Sequence, residues 1–176
     1  LRPFEQLIAS LPADGTLVAN GDAKHARALA EKYVGKFVLY GSDASNEWHP
    51  ENIAYGEITT FDLMHVKEHV ATFSTTLLGA HNIENIVGAA AMLLTKKLLT
   101  VEECVASVAS FQGVKRRLEI LTKNSSVPVF EGFGSSYEKA RSAIEATRLH
   151  FKDRRLIVVF EPHTFSWRNR SAVGWY

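Results

Sequence analysis

Apolar residues recur along this chain with two alternating periods, and the switches between them lay out an α/β order. Phe4, Leu7, Ile8 and Leu11 are spaced to share one helical face, and Pro12-Ala13-Asp14-Gly15 ends that helix. Thr16 to Ala19 follows as a short apolar strand and Asn20-Gly21-Asp22 as a tight turn. A second helix carries Ala26, Leu29, Ala30 and Tyr33, and Phe37 to Tyr40 is a further apolar run closed by Gly41. This succession of strand, helix and strand predicts a parallel sheet layered against helices.

Ser42 to Pro50 reads as a polar loop. From about Ile53 to Phe73 the pattern is of strands without intervening helices. Phe61, Leu63 and Val66 stand on one side of Lys67-Glu68-His69, with Val70 and Phe73 on the other, which predicts a hairpin. After Gly79 comes the strongest helical stripe, formed by Ile83, Ile86, Val87, Ala90, Leu93 and Leu94. Thr100 and Glu103 have capping-box spacing at the start of another helix, which runs to about Ser110.

The pattern changes at Phe111-Gln112-Gly113. Leu118 to Leu121 and Val127 to Phe130 then read as strands, and Ser135 and Glu138 repeat the capping-box spacing before a helix carrying Ala140, Ile144, Thr147 and Phe151. Leu156 to Phe160 is a continuous apolar run of buried-strand type. Residues after about 114 thus predict the first β-α-β unit of a second domain. One such unit is too small to bury its own sheet, so that domain is expected to be truncated.

Composition changes this picture little. The 176 residues suffice for one full domain or parts of two, and 46% apolar with 22% charged residues is ordinary for a soluble globular chain. A formal charge of +1, with basic residues confined to short clusters at Lys115-Arg116-Arg117, Arg154-Arg155 and Arg168 to Arg170, gives no reason to expect a nucleic-acid partner. The single cysteine, Cys104, excludes an internal disulfide and a cysteine-type metal site. No apolar run is long enough to cross a membrane and no signal peptide opens the chain, so the cytoplasm is the expected compartment.

Two segments could carry chemistry. In Gly79-Ala80-His81-Asn82-Ile83-Glu84-Asn85, the asparagines at 82 and 85 project from one side of a first helical turn. A carboxamide offers a donor and an acceptor together, which matches the edge of adenine, and a helix N-terminus favours nearby phosphate. The alternative is that His81 or Asn82 simply caps the helix. In Phe111-Gln112-Gly113-Val114-Lys115-Arg116-Arg117-Leu118-Glu119, an arginine at a domain junction could grip phosphate through its planar fork. The alternative there is a solvated basic linker.

In order and spacing, these segments and the β-α-β pattern after them resemble the Mur ligase family over essentially the whole chain. The resemblance implies an α/β fold in which residues 1–113 end the family's central ATP-binding domain. Residues 114–176 would then begin a Rossmann-like C-terminal domain. It implies that Asn82 and Asn85 lie by the adenine of ATP with His81 adjacent, that Arg117 reaches the phosphates, and that Glu131 helps hold the ribose. Gly132 stands where a second acid is common, and Ser135-Ser136-Tyr137 replaces a His-His-Pro segment, leaving Ser136 on the substrate side.

Pro162-His163-Thr164-Phe165-Ser166 resembles the members that add L-alanine to UDP-N-acetylmuramate, which implies substrate contacts from His163. Trp167 departs from the usual arginine, with Arg168 expected in its role. The implied reaction is ATP-dependent amide formation through an acyl phosphate, in peptidoglycan-precursor synthesis. Its partners would be UDP-N-acetylmuramate and an amino acid or peptide, with Mg2+ held by ligands upstream of Leu1. A recycling ligase adding L-alanyl-γ-D-glutamyl-meso-diaminopimelate, or a non-catalytic nucleotide-binding relative, are the alternatives. No G-x-x-x-x-G-K-[ST] phosphate loop occurs in the sequence, so the chain by itself is expected to be inactive.

Overall fold

The computed structural model describes residues 1–161 apart from Ala13, Lys123 and Ser135. The Pro162 to Ser166 loop, with His163, and also Arg168, fall outside the described residues.

Five strands form the principal sheet, in the order β1 (Thr16–Asn20), β2 (Lys36–Tyr40), β3 (Trp48–Ala54), β4 (Thr59–His65) and β5 (Glu68–Thr75). The first pair is parallel over five residues, from Thr16↔Lys36 to Asn20↔Tyr40, and is connected by helix α2 (Lys24–Ala30). β2 and β3 are also parallel but share only the pair Tyr40↔Trp48. β3, β4 and β5 form an antiparallel meander. The expected hairpin is β4–β5, with His65 paired to Glu68 and Val66 turned into the left-handed region at φ 59°.

Alternation explains which face of the meander is buried. Thr59, Phe61 and Leu63 of β4 point inward, as do Phe73 and Thr75 of β5, and the cross-strand rings of Phe61 and Phe73 stack with centroids 5.6 Å apart. Helix α3 (Ala80–Thr95) covers this face with Ile83, Ile86, Val87, Ala90 and Ala91. Helix α4 (Val101–Ser110) adds Cys104 to the same core. Its N-terminus carries the expected box: the Glu103 N–H donates to the Thr100 hydroxyl, and the Thr100 N–H donates to the Glu103 carboxylate. Helix α1 (Arg2–Ala9) has its predicted apolar face, but Phe4 and Leu7 remain exposed.

Three expectations need correction. The polar loop ends at Glu47, because Trp48, His49 and Pro50 are buried residues of β3. The buried His49 ring is served locally, with Nδ1 3.0 Å from the Asn46 carbonyl, so this strand lacks the hydrophobic signature of its neighbours. Next, the first predicted strand forms as β6 (Arg117–Ile120), but of the run Val127 to Phe130 only Phe130 is in a strand, β7 (Phe130–Gly132), and the two pair antiparallel. The apolar run 156–160 joins no strand ladder among the described residues, and Val159 is 95% exposed. The expectation of a buried strand fails on both counts, since Leu156 to Phe160 are all exposed and neither β6 nor β7 offers the run a partner edge. Third, helix α5 (Tyr137–His150) is capped by Ser136, whose hydroxyl accepts the Lys139 N–H at 3.4 Å. The capping serine is thus one position later than the spacing of Ser135 and Glu138 suggested.

Candidate functional site

The N-terminal end of α3 carries three of the sequence-predicted residues, His81, Asn82 and Asn85. Gly79 precedes the helix at φ 90°, a conformation that glycine reaches without a side-chain penalty. Neither His81 nor Asn82 caps the helix with its side chain. Asn82 instead donates its Nδ2–H to the Leu78 carbonyl at 2.9 Å, which fixes the carboxamide against the entering chain. Asn85, one turn on, is exposed. His81 is half-buried, and its Nδ1 lies 3.2 Å from the Ser142 hydroxyl of α5. Burial holds its pKa below the ordinary histidine value, against a smaller opposing pull from Glu84. His81 is therefore a neutral hydrogen-bonding ring at neutral pH, not a cation.

Glu84 and its surroundings escaped sequence reasoning. Its Oε1 accepts the Ser42 hydroxyl at 2.8 Å, tying α3 to the loop after β2. That loop is itself ordered by Asp22, which accepts the backbone N–H of Ser42 and, at 2.6 Å, the Asn46 amide. Arg27 completes the network by donating to the Gly21 carbonyl at 2.7 Å and to Asn46 Oδ1 at 2.8 Å. The approach requires glycine at 41, where a Cβ would lie 2.6 Å from the Asp22 carboxyl carbon. A signal was available. Asn20-Gly21-Asp22 and Gly41-Ser42-Asp43 directly follow two parallel strands, and ligands of open α/β sheets bind beyond the carboxyl ends of such strands. Tyr40 and Tyr55 frame the same end, their hydroxyl pKa values raised by burial first and by Glu84 second.

The junction residues come partway to this end. A Cβ on Gly113 would meet Leu77 Cδ2 at 2.9 Å, so the turn after α4 lies against the segment entering α3. Gly113, Arg116 and Leu118 all have positive φ, an unusual density of left-handed backbone. The two arginines there differ. Arg116 pairs with Glu131 at 3.3 Å and lies 5.7 Å from the Phe133 ring centroid, whereas Arg117 is exposed at the start of β6. Glu131 is thus engaged by Arg116, and Ser136 by the α5 N-terminus. Neither is brought together with His81, Asn82 or Asn85 by any described hydrogen bond. Two open cavities lie elsewhere, one of about 280 Å³ near Lys36 and Lys96 and one of about 420 Å³ along Arg148, Lys152 and Arg155. Among the described residues, no group of three or more His, Cys, Asp or Glu side chains is placed to hold a metal ion. No helix among the described residues is long and apolar enough to cross a membrane.

Set against known proteins, the chain matches the Mur ligase middle domain over residues 2–93. It is 30% identical over 166 residues to a UDP-N-acetylmuramate–L-alanine ligase from Desulforapulum autotrophicum, covering 93% of this chain and 36% of that protein. A ligase of the same name from Hydrogenobaculum sp. is 28% identical over 166 residues, with the same shares. The chain thus spans about a third of the length of the curated relatives it matches. In fold it is similar to the UDP-N-acetylmuramate-alanine ligase of Thermotoga maritima, with TM-score 0.72 and 16% identity over 83% of this chain and 33% of that one. It is also similar to a MurF ligase of Thermotoga maritima in complex with ADP, with TM-score 0.65 and 16% identity over 78% and 31%. This chain belongs to the Mur ligase family.

Proposed function

We propose that this chain is part of an ATP-dependent ligase of peptidoglycan-precursor synthesis that joins L-alanine to UDP-N-acetylmuramate through an acyl phosphate. Residues 1–113 belong, in this reading, to the central nucleotide-binding domain, and residues 114–176 begin the C-terminal domain. The observation that carries the reading is the 30% identity to a ligase of that name over 166 residues, a stretch that includes both the α3 end and the junction.

Within it, the exposed Asn85 carboxamide and the free oxygen edge of Asn82 hydrogen-bond the adenine edge, and neutral His81 flanks them. Arg117, exposed and without an ion pair among the described residues, reaches the phosphates when the nucleotide is held. Glu131 stays on Arg116 or turns to the ribose, and Ser136, His163 and Arg168 serve the amino substrate. ATP enters as substrate and leaves as ADP once the carboxylate is phosphorylated. Mg2+, which this reading assigns to residues outside those described, would supply charge neutralisation at the transferred phosphoryl group.

A second reading is a ligase of the recycling type, which adds L-alanyl-γ-D-glutamyl-meso-diaminopimelate. It shares the Gly113-Val114-Lys115-Arg116-Arg117 junction, and Leu77-Leu78-Gly79 resembles it at least as well. Competition between L-alanine and the tripeptide, for a full-length parent acting on UDP-N-acetylmuramate with ATP, separates the two. Preference for L-alanine is expected, and preference for the tripeptide overturns that assignment. Absence of ATP-dependent ligation with either substrate overturns the enzyme reading in favour of a nucleotide-binding relative.

A further inference from the structure

Helix α5 touches the α3 end through one stripe: Ser142, Ala146 and His150, four residues apart, lie on a single helical face. Ser142 meets His81, and Ala146, 3% exposed, sits against Gly79. His150 meets two backbone groups of opposite kind. Its Nδ1 lies 2.8 Å from the Gly56 carbonyl oxygen, which can only accept, so Nδ1 carries the hydrogen. Its Nε2 lies 3.0 Å from the Gly79 nitrogen, which can only donate, so Nε2 is bare. One neutral tautomer satisfies both contacts. The ring is also held edge-on by Tyr55, with centroids 5.4 Å apart.

We propose that His150 is a proton-sensitive fastener between α5 and the α3 end, closed when its imidazole is neutral and loosened when it is protonated. Protonation places a hydrogen on Nε2, which then confronts the Gly79 N–H donor to donor, while the Gly56 bond survives. The device therefore releases one side only, the side that carries Gly79, His81 and Asn82. The titratable groups on the elements packed there are Tyr55 and Glu57 beside Gly56, and His81 and Glu84 on α3. Arg148, Lys152 and Asp153 are the neighbours in its own segment. Tyr55 stays neutral, its pKa raised by burial and by Glu84. His81 stays neutral to lower pH than an ordinary histidine because it is half-buried. The contact is present where the ring is neutral and lost where it is protonated. The proposal stands apart from the ligase reading, since it concerns only contacts within the chain.

The test is NMR on the 15N-labelled 176-residue chain between pH 8 and 5. At pH 8 the His150 ring should carry its hydrogen on Nδ1, and the Gly79 amide should be protected from exchange. As His150 titrates, Gly79 should shift with the same midpoint. Its exchange protection, corrected for the intrinsic pH dependence, should fall about five- to tenfold, the worth of one hydrogen bond. His150→Gln supplies one donor and one acceptor without titrating, so its Gly79 protection should change less than about twofold over the range. A hydrogen on Nε2 at pH 8, or a Gly79 amide indifferent to the titration of His150, overturns the proposal. So does an undiminished response in His150→Gln, which would assign the effect to His81. If that variant does not fold, the wild-type ring and amide signals decide the matter on their own.

Discussion

The methyl of Ala146 occupies the place where a side chain on Gly79 would begin: a Cβ built on Gly79 falls 2.5 Å from the Ala146 Cβ. Two independent demands therefore converge on Gly79, a φ of 90° and a missing side chain. Gly79→Ala should lower stability by about 2–5 kcal/mol, combining backbone strain with overpacking. The further change Ala146→Gly should recover the steric part and leave the strain. A double-mutant cycle by urea unfolding measures this, and strictly additive effects would mean the two residues do not meet.

The capping box of α4 gives a local test. Thr100→Ala removes the hydroxyl that accepts the Glu103 N–H at 3.2 Å. A loss of about 0.5–2 kcal/mol is expected by thermal or urea unfolding, against a few tenths for Thr100→Gly relative to wild type. No loss in Thr100→Ala would indicate that the cap contributes nothing here.

Asp62 should make the meander sensitive to acid. Its pKa lies below the usual carboxylate value, held down first by the Thr72 hydroxyl at 2.6 Å and next by the Asn52 amide at 2.8 Å. A depressed folded pKa stabilises the fold above the unfolded carboxylate value, near 4. That contribution disappears as pH falls through the folded one. Asp62→Asn should accordingly be less stable than wild type at pH 7, with the gap closing below about pH 4. Unfolding curves at pH 7, 5 and 3 check it, and a gap that is constant with pH contradicts it.

The two junction arginines should separate in a full-length parent enzyme. Arg117→Ala removes the proposed phosphate contact, a charge-assisted bond of about 1.5–3 kcal/mol, and should cost roughly ten- to hundredfold in kcat/KM for ATP. Arg116 is already committed to Glu131 and Phe133, so Arg116→Ala should cost about threefold or less, in line with an exposed pair. Steady-state kinetics with varied ATP decides, and equal effects would mean that the roles of the two arginines are misassigned.

How far the sequence was legible depended on the range of each interaction. The β4–β5 hairpin and the α3 stripe were readable because alternation and helical spacing at Phe61, Leu63, Ile83 and Val87 record burial directly. β3 was not, since Trp48-His49-Pro50 is buried with polar help from Asn46. The run 156–160 showed the opposite failure, since its apolar residues are exposed and meet no pairing edge among the described residues. The α3 end drew attention through its asparagines, but its supports were invisible. Ser42 reaches Glu84 across 42 positions and His150 reaches Gly79 across 71, and neither pair leaves a local pattern.

The single pair Tyr40↔Trp48 joins the parallel half of the sheet to its antiparallel half, and this has a mechanical consequence. Along that line the ladder is a seam, with too few cross-links to resist shear by itself. Helix α3 lies over β1, β2 and β3 together, and so splints the seam from one side. Tyr40 sits at the join and packs its ring against Gly88 of that helix, where a Cβ would fall 2.7 Å from Tyr40 Cε2. A pull that lifts α3 from the sheet would therefore also part the two halves. The end of α3 that α5 holds down is one anchor of that splint, which ties β1, β2 and β3 to a single helix.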